Sequence, residues 1–167
     1  MSIELIRKPA KVADPLAALE AAAENLGFEM ERVSDAELHV MLPGVWRDLG
    51  LWFTWRPELS TMQMGAPIDL KAPAGRLEEA SHLVTMVNER LWVGHFDLWA
   101  DDNSIVFRNA AILPEGGALD KGQGEALIRA AAEAVDRFYP AFNFLVWGGK
   151  NPDDALKASL FETAGNA

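Results

Sequence analysis

Hydrophobic spacing changes from helical to strand period within two residues of this chain, in the stretch Asn88-Glu89-Arg90-Leu91-Trp92-Val93-Gly94-His95-Phe96-Asp97-Leu98-Trp99. Before it, Leu77, Ala80, Val84, Val87 and Leu91 recur every three or four residues, which predicts a helix over 75–91. Leu83 and Met86 widen its apolar face. After it, residues 93–100 alternate like a strand and 105–113 return as its partner. Between them Asp101-Asp102-Asn103-Ser104 forms a turn, because short polar side chains bond their own backbone there. The chain is therefore neither all-α nor all-β.

The hairpin register predicts Asp97 opposite Arg108, with His95, Trp99 and Val106 on that face and Phe96, Leu98, Ile105 and Phe107 on the other. A one-residue slip would carry the whole apolar set across the sheet, so the faces are fixed firmly.

Upstream, Asp14-Pro15 opens a helix as cap and first residue. Leu16, Leu19, Ala23 and Leu26 form its apolar face and Gly27 ends it. Strands follow over 28–33, through Leu38, Val40 and Leu42, and over 49–56. Pro57-Glu58 reads as the centre of a tight turn. That turn sets Arg56 opposite Leu59, Phe53 opposite Met62, Leu51 opposite Met64, Trp52 opposite Gln63 and Thr54 opposite Thr61. Met62 and Met64 face the core. Residues 68–71 extend this strand past Pro67 as an edge or a bulge. Downstream, a long helix starts near Gln123, and Pro140 kinks or divides it near Tyr139. Asn151-Pro152-Asp153-Asp154 starts a last short helix. The expected fold is α+β, in the order α-β-β-β(-β)-α-β-β-α-α. Five or six strands form a largely antiparallel sheet packed by helices. Residues 1–13 are read as a flexible arm and 14–164 as one domain.

Composition narrows the function. With 25 acidic and 15 basic residues the formal charge is −10, and no basic stripe offsets it, so nucleic acid and anionic membranes are poor partners. No apolar run approaches the ~20 residues of a membrane helix. The absence of cysteine removes disulfides, thiolate nucleophiles and cysteine zinc sites together. With no secretory leader recognisable at the start, a cytoplasmic protein is expected.

His39, His82 and His95 are the only histidines, and none has the spacing of a metal site. Gly122-Gln123-Gly124 lacks the spacing of a phosphate cradle and reads as a helix start. His95 and Asp97 with Arg108 outline a general base steadied by a carboxylate. Residues two apart on a strand stand about 6–7 Å apart, however, and no hydroxyl nucleophile is near in sequence. A cross-strand Asp97–Arg108 ion pair is the plainer expectation. Six tryptophans are many for 167 residues. Most are expected in the core. Trp46, on a loop, and Trp52 or Trp99, on mixed strand faces, are expected partly exposed, where aromatics mark docking surfaces.

The run Asn-Glu-x-Leu-Trp-x-Gly-His-Phe-Asp-Leu-Trp at 88–99 resembles the YbjN-domain family of bacterial sensory transduction regulators. So do Phe53-Thr54-Trp55, Ile68-Asp69-Leu70-Lys71-Ala72-Pro73, Phe107-Arg108 and Ala141-Phe142-x-Phe144-x-Val146-Trp147-x-Gly149-Lys150. The resemblance spans residues 16–164. It implies a twisted antiparallel sheet similar to type III secretion chaperones, commonly dimeric, and supplies no catalytic residues to carry over.

The expected function is a non-enzymatic, chaperone-like or regulatory protein-binding domain acting as a homodimer without cofactor or metal. Its docking residues are Trp46, Trp52, Trp99, His95, Asp97 and Arg108. The alternatives are a small-ligand sensor with an apolar cavity between sheet and long helix, and an enzyme using His95, Asp97 and Arg108.

Overall fold

The computed structural model describes residues 13–165 except Glu115, with Thr163 described by its backbone alone. The expected arm over 1–13 falls almost entirely outside these residues. The elements run α1 (Ala17–Leu26), β1 (Glu29–Ser34), β2 (Glu37–Leu42), β3 (Leu49–Arg56), β4 (Thr61–Lys71), α2 (Leu77–Asn88), β5 (His95–Leu98), β6 (Ser104–Ile112), α3 (Lys121–Val146) and α4 (Pro152–Gly165). The six strands form one antiparallel sheet in the order β1-β2-β3-β4-β6-β5. This is the expected α+β class and element order.

Strict alternation sends Leu38, Val40, Leu42, Leu51, Phe53, Met62, Met64, Phe96 and Phe107 to one face. All are buried there under the helices in a single apolar cluster. Phe96 joins the layers: its ring lies 5.3 Å from Phe107 on the sheet and 5.0 Å from Phe142 on α3.

Two registers differ from expectation by two residues. Arg56 pairs with Thr61, so Phe53 faces Met64, Thr54 faces Gln63 and Trp52 faces Gly65. The connection is a 3₁₀ turn over Pro57–Leu59 closed by Ser60 in the left-handed region, not a two-residue turn. The Ser60 carbonyl accepts the Leu113 N–H across the sheet and anchors that longer loop. In the second hairpin His95, not Asp97, stands opposite Arg108, and Asp97 faces Val106. Here Trp99 and Ser104 close a four-residue loop. A shift of two preserves every face, so the core assignment survives both corrections. Past Pro67 the β4 register slips at a bulge whose Asp69 has φ +54°; β4 is an inner strand, not an edge.

Helix α2 stops at Asn88, three residues earlier than its apolar spacing implies, because Asn88 is used by the sheet. The Phe96 N–H donates to Asn88 Oδ1 at 2.8 Å, and Asn88 Nδ2 donates to the Phe96 carbonyl at 2.9 Å. β5 is the last strand of the sheet, so this amide satisfies backbone groups that would otherwise form an open edge. Residues 92 and 93 are consequently left outside the sheet. Trp92, expected in the core, is 99% exposed, and Trp147 is 78% exposed.

Helix α3 begins at Lys121, two residues before expectation, on a reciprocal capping box between Asp120 and Gln123. It continues through Pro140 undivided. Pro140 has no N–H, so the Asp136 carbonyl loses its helical donor. Trp46 on the loop between β2 and β3 supplies the replacement: its Nε1 donates to the Asp136 carbonyl at 2.8 Å, while the Val45 N–H donates to Asp136 Oδ1 at 2.9 Å. At the other end of α3, the Arg76 guanidinium donates to the carbonyls of Leu145 and Lys150 and ties the start of α2 to it.

These anchors are open to substitution. Asn88→Ala leaves the Phe96 N–H and carbonyl without partners and is expected to cost about 2–3 kcal/mol in urea unfolding, while Glu89→Ala stays within about 0.5 kcal/mol. Equal effects would show that the amide is not an anchor. Burial raises the Asp136 pKa, and its bond from Val45 only partly opposes this. The folded state therefore holds that proton more tightly than the unfolded chain, and stability falls as pH rises through the two values. Asp136→Asn keeps an acceptor for Val45 without the buried charge. It is expected to raise Tm at pH 7 and to lose that advantage as pH falls into the carboxylate range; a pH-independent difference would refute the assignment.

Candidate protein-docking face

Alternation that buries one face of the sheet turns the other away from the described helices. Across this outer face a row of paired residues runs Glu31, His39, Trp52, Gly65, Arg108, His95, one from each strand in spatial order. The row mixes a large indole with both charge signs, a composition typical of interface surfaces.

Trp52 sits at its centre, half-buried. It lies against the backbone of Gly65: a Cβ on Gly65 would come within 2.1 Å of the indole Cζ2. Glycine in a strand interior lacks a side chain to pack, and here that gap is the seat of the ring. The ring divides the face into two hollows. One, of about 420 Å³, borders β1, β2 and β3 and reaches Pro67. The other, of about 180 Å³, lies beside His95, Arg108 and Gln63.

Next to the smaller hollow, Asp97 Oδ2 receives Arg108 Nη1 at 2.8 Å and stands 3.4 Å from His95 Nε2. The expected ion pair forms, although diagonally across the strands. His95 and Asp97 lean together more closely than their strand spacing requires. The carboxylate oxygen nearest the imidazole is the one that Arg108 already occupies, which limits what it offers His95 as an orienting base. On the far side of Trp52, His39 Nε2 lies 2.7 Å from Glu37 Oε1. Gly94, with φ +70°, permits the close turn into β5: a Cβ there would meet the Phe107 ring at 2.3 Å.

The other sequence candidates separate. Trp99 closes the β5–β6 hairpin at 39% exposure, its N–H donating to the Ser104 carbonyl. Trp46 is held to α3 by Asp136, on the helical side of the sheet, and does not join Trp52. Between sheet and α3, where an apolar cavity was expected for a sensor, Phe96, Phe107, Phe138 and Phe142 pack with no exposure. The nearest hollow is a groove of about 250 Å³ between β6 and α3. Sequence reasoning missed Met41 and the two strand glycines, Gly50 and Gly65, that shape the outer face. A glycine inside an otherwise regular strand was the available signal. It also missed Trp92, whose place after Leu91 mimics a continued helix face.

Among the described residues no three His, Asp or Glu side chains gather as a metal site, and no helix is long and apolar enough to cross a membrane.

Comparison with known proteins comes to the same fold. The YbjN family model, described as "Putative bacterial sensory transduction regulator", matches residues 15–144. No curated protein matches the chain. Among solved structures, the crystal structure of YbjN from E. coli, described as "a putative transcription regulator", is similar at TM-score 0.52 and 15% identity. The match covers 75% of this chain and 89% of that one, and at this identity it speaks to the fold alone.

The seat of Trp52 makes a testable unit. Gly65→Ala drives a methyl group into the indole and is expected to cost about 1–3 kcal/mol. It should also increase acrylamide quenching of Trp52. In a Trp52→Ala background the same change should be nearly neutral, giving a coupling about equal to the single-mutant cost. Additive losses would mean that the ring does not rest on Gly65.

Proposed function

This chain belongs to the YbjN family, and from that premise we propose that it is a non-enzymatic regulatory domain that works by docking a protein on its outer sheet face. The observation that carries this reading is the row through Trp52, half-buried on Gly65 between two hollows on a face that none of the described helices covers. An aromatic body with charged groups on either side suits reversible protein contact. His95, Asp97 and Arg108 belong to the same face, where their ion pair supplies polar contacts at the rim; Trp99 adjoins them. Trp46 acts at a distance, by fixing the β2–β3 loop to α3. The net charge of −10 favours a protein over a nucleic acid as the partner.

The same reading makes the protein a cytoplasmic homodimer, chaperone-like in presenting a sheet to a client. The exposed apolar side chains Trp92 and Val93, beside Ala130 and Ala134 of α3, give two copies a surface on which to meet away from the Trp52 row.

Capture from a native lysate tests the docking face, with Trp52→Ala as the comparison and Glu89→Ala, at the end of α2, as a variant altered elsewhere. The expected result is a specific partner retained by wild type and by Glu89→Ala and lost from Trp52→Ala. Identical partners for all three, or none for wild type, would overturn the reading. Light scattering is expected to give twice the chain mass, and the chain mass for Trp92→Glu; a monomeric wild type would remove the dimer.

A further inference from the structure

We propose that the larger hollow of the outer face receives a partner segment in which lysine or arginine side chains adjoin large apolar ones. This rests on the docking function proposed above and names the chemistry of its partner. The hollow of about 420 Å³ is a trough with an apolar floor and an acidic rim. Met41, 47% exposed, and the half-buried Trp52 and exposed Pro67 supply the floor. A thioether and an indole adapt their contacts to differing apolar side chains. Glu29 and Glu31 supply the rim, two residues apart and therefore about 6–7 Å from each other on one side of β1.

The electrostatics choose the occupant. Among the described residues no lysine or arginine borders the trough. Among the described residues neither Glu29 nor Glu31 has an ion-pair partner. The nearest cation on β1, Arg32, points to the helical side, where Asp14 at 2.7 Å and Glu20 at 3.0 Å hold it. On the next strand His39 is already met by Glu37, which adds a third carboxylate to this side of the sheet. An acidic or neutral apolar segment would leave that repulsion in place while drying the floor; a basic one removes it. The trough spans four strands, about 14 Å from β1 to β4, which is room for two basic positions and the apolar residues beside them. Another exposed apolar area, around Trp92, has Arg90 and Arg137 at its border against one carboxylate, Glu133, and offers no acidic rim.

The test titrates the full-length, ¹⁵N-labelled protein at 150 mM salt with a 12-residue lysine–leucine peptide and with its glutamate–leucine counterpart. The lysine peptide is expected to shift the Trp52 indole and the β1–β3 amides, and the glutamate peptide is not. Glu29→Lys with Glu31→Lys should weaken binding at least tenfold. Glu78→Lys, on α2, should weaken it less than twofold, and unchanged core resonances confirm that both variants fold. Equal response to both peptides, shifts centred on Trp92, equal losses in the two variants, or no binding would overturn the proposal. So would β1–β3 shifts that follow protein concentration alone, which mark a second copy in the trough, or contacts there from residues 1–12 of the same chain. If a natural partner depends on Trp52 while the lysine peptide fails, the docking function stands and only the basic segment falls.

Discussion

The sheet ends on one hydrogen-bonded pair. Asn88 closes both free backbone groups of Phe96, and the phenyl ring of that residue is the point where sheet and α3 meet. Remove the amide and the four-residue strand β5 has an open edge on one side and only β6 on the other. Short edge strands of that kind depend on a cover. Gly94 completes the arrangement, because any larger residue would strike the Phe107 ring and the Arg108 carbonyl. Three positions of the 88–99 motif thus have structural roles, Asn88 as a clamp, Gly94 as a turn and Phe96 as a core plug. The stretch that carries the resemblance to the family is, at these positions, architecture.

Much of the fold was legible because alternation reports the side of a strand on which a residue lies. Leu38, Val40, Leu42, Phe53, Phe96 and Phe107 all went to the face that periodicity gave them. What alternation does not report is turn length. A two-residue shift leaves every face intact, so the difference between Phe53–Met62 and Phe53–Met64 pairing was invisible in the pattern. The turn carried no marker either, since the left-handed position fell to Ser60 instead of a glycine. Helix α2 ended early because the partner of Asn88 lies eight residues on, and local spacing holds no record of that contact. Pro140 announced a carbonyl in need of a donor, but not that Trp46 would reach across from another loop to provide it.

The candidate docking residues were legible in the same partial way. His95, Asp97 and Arg108 were grouped on one face of their hairpin and Trp52 on one face of its own, because strand parity suffices for that. Their neighbours across the sheet were not, because strand order is a tertiary fact. Only once β4 lies between β3 and β6 does Gly65 come under Trp52 and Arg108 beside it. The trough likewise needs β1 to β4 side by side. Helices collected on one side of the sheet leave the other to the solvent. The same asymmetry that builds the core therefore builds the face proposed for docking.

Oxidative footprinting of the protein, alone and with its captured partner, tests the central claim most directly, since oxidisable side chains stand exposed both on that face and away from it. The account predicts that the partner shields Trp52 and Met41 while Trp147 and Phe161, exposed away from that face, are oxidised as before. Unchanged labelling of Trp52 and Met41, with protection confined to Trp147 or Phe161, would contradict it.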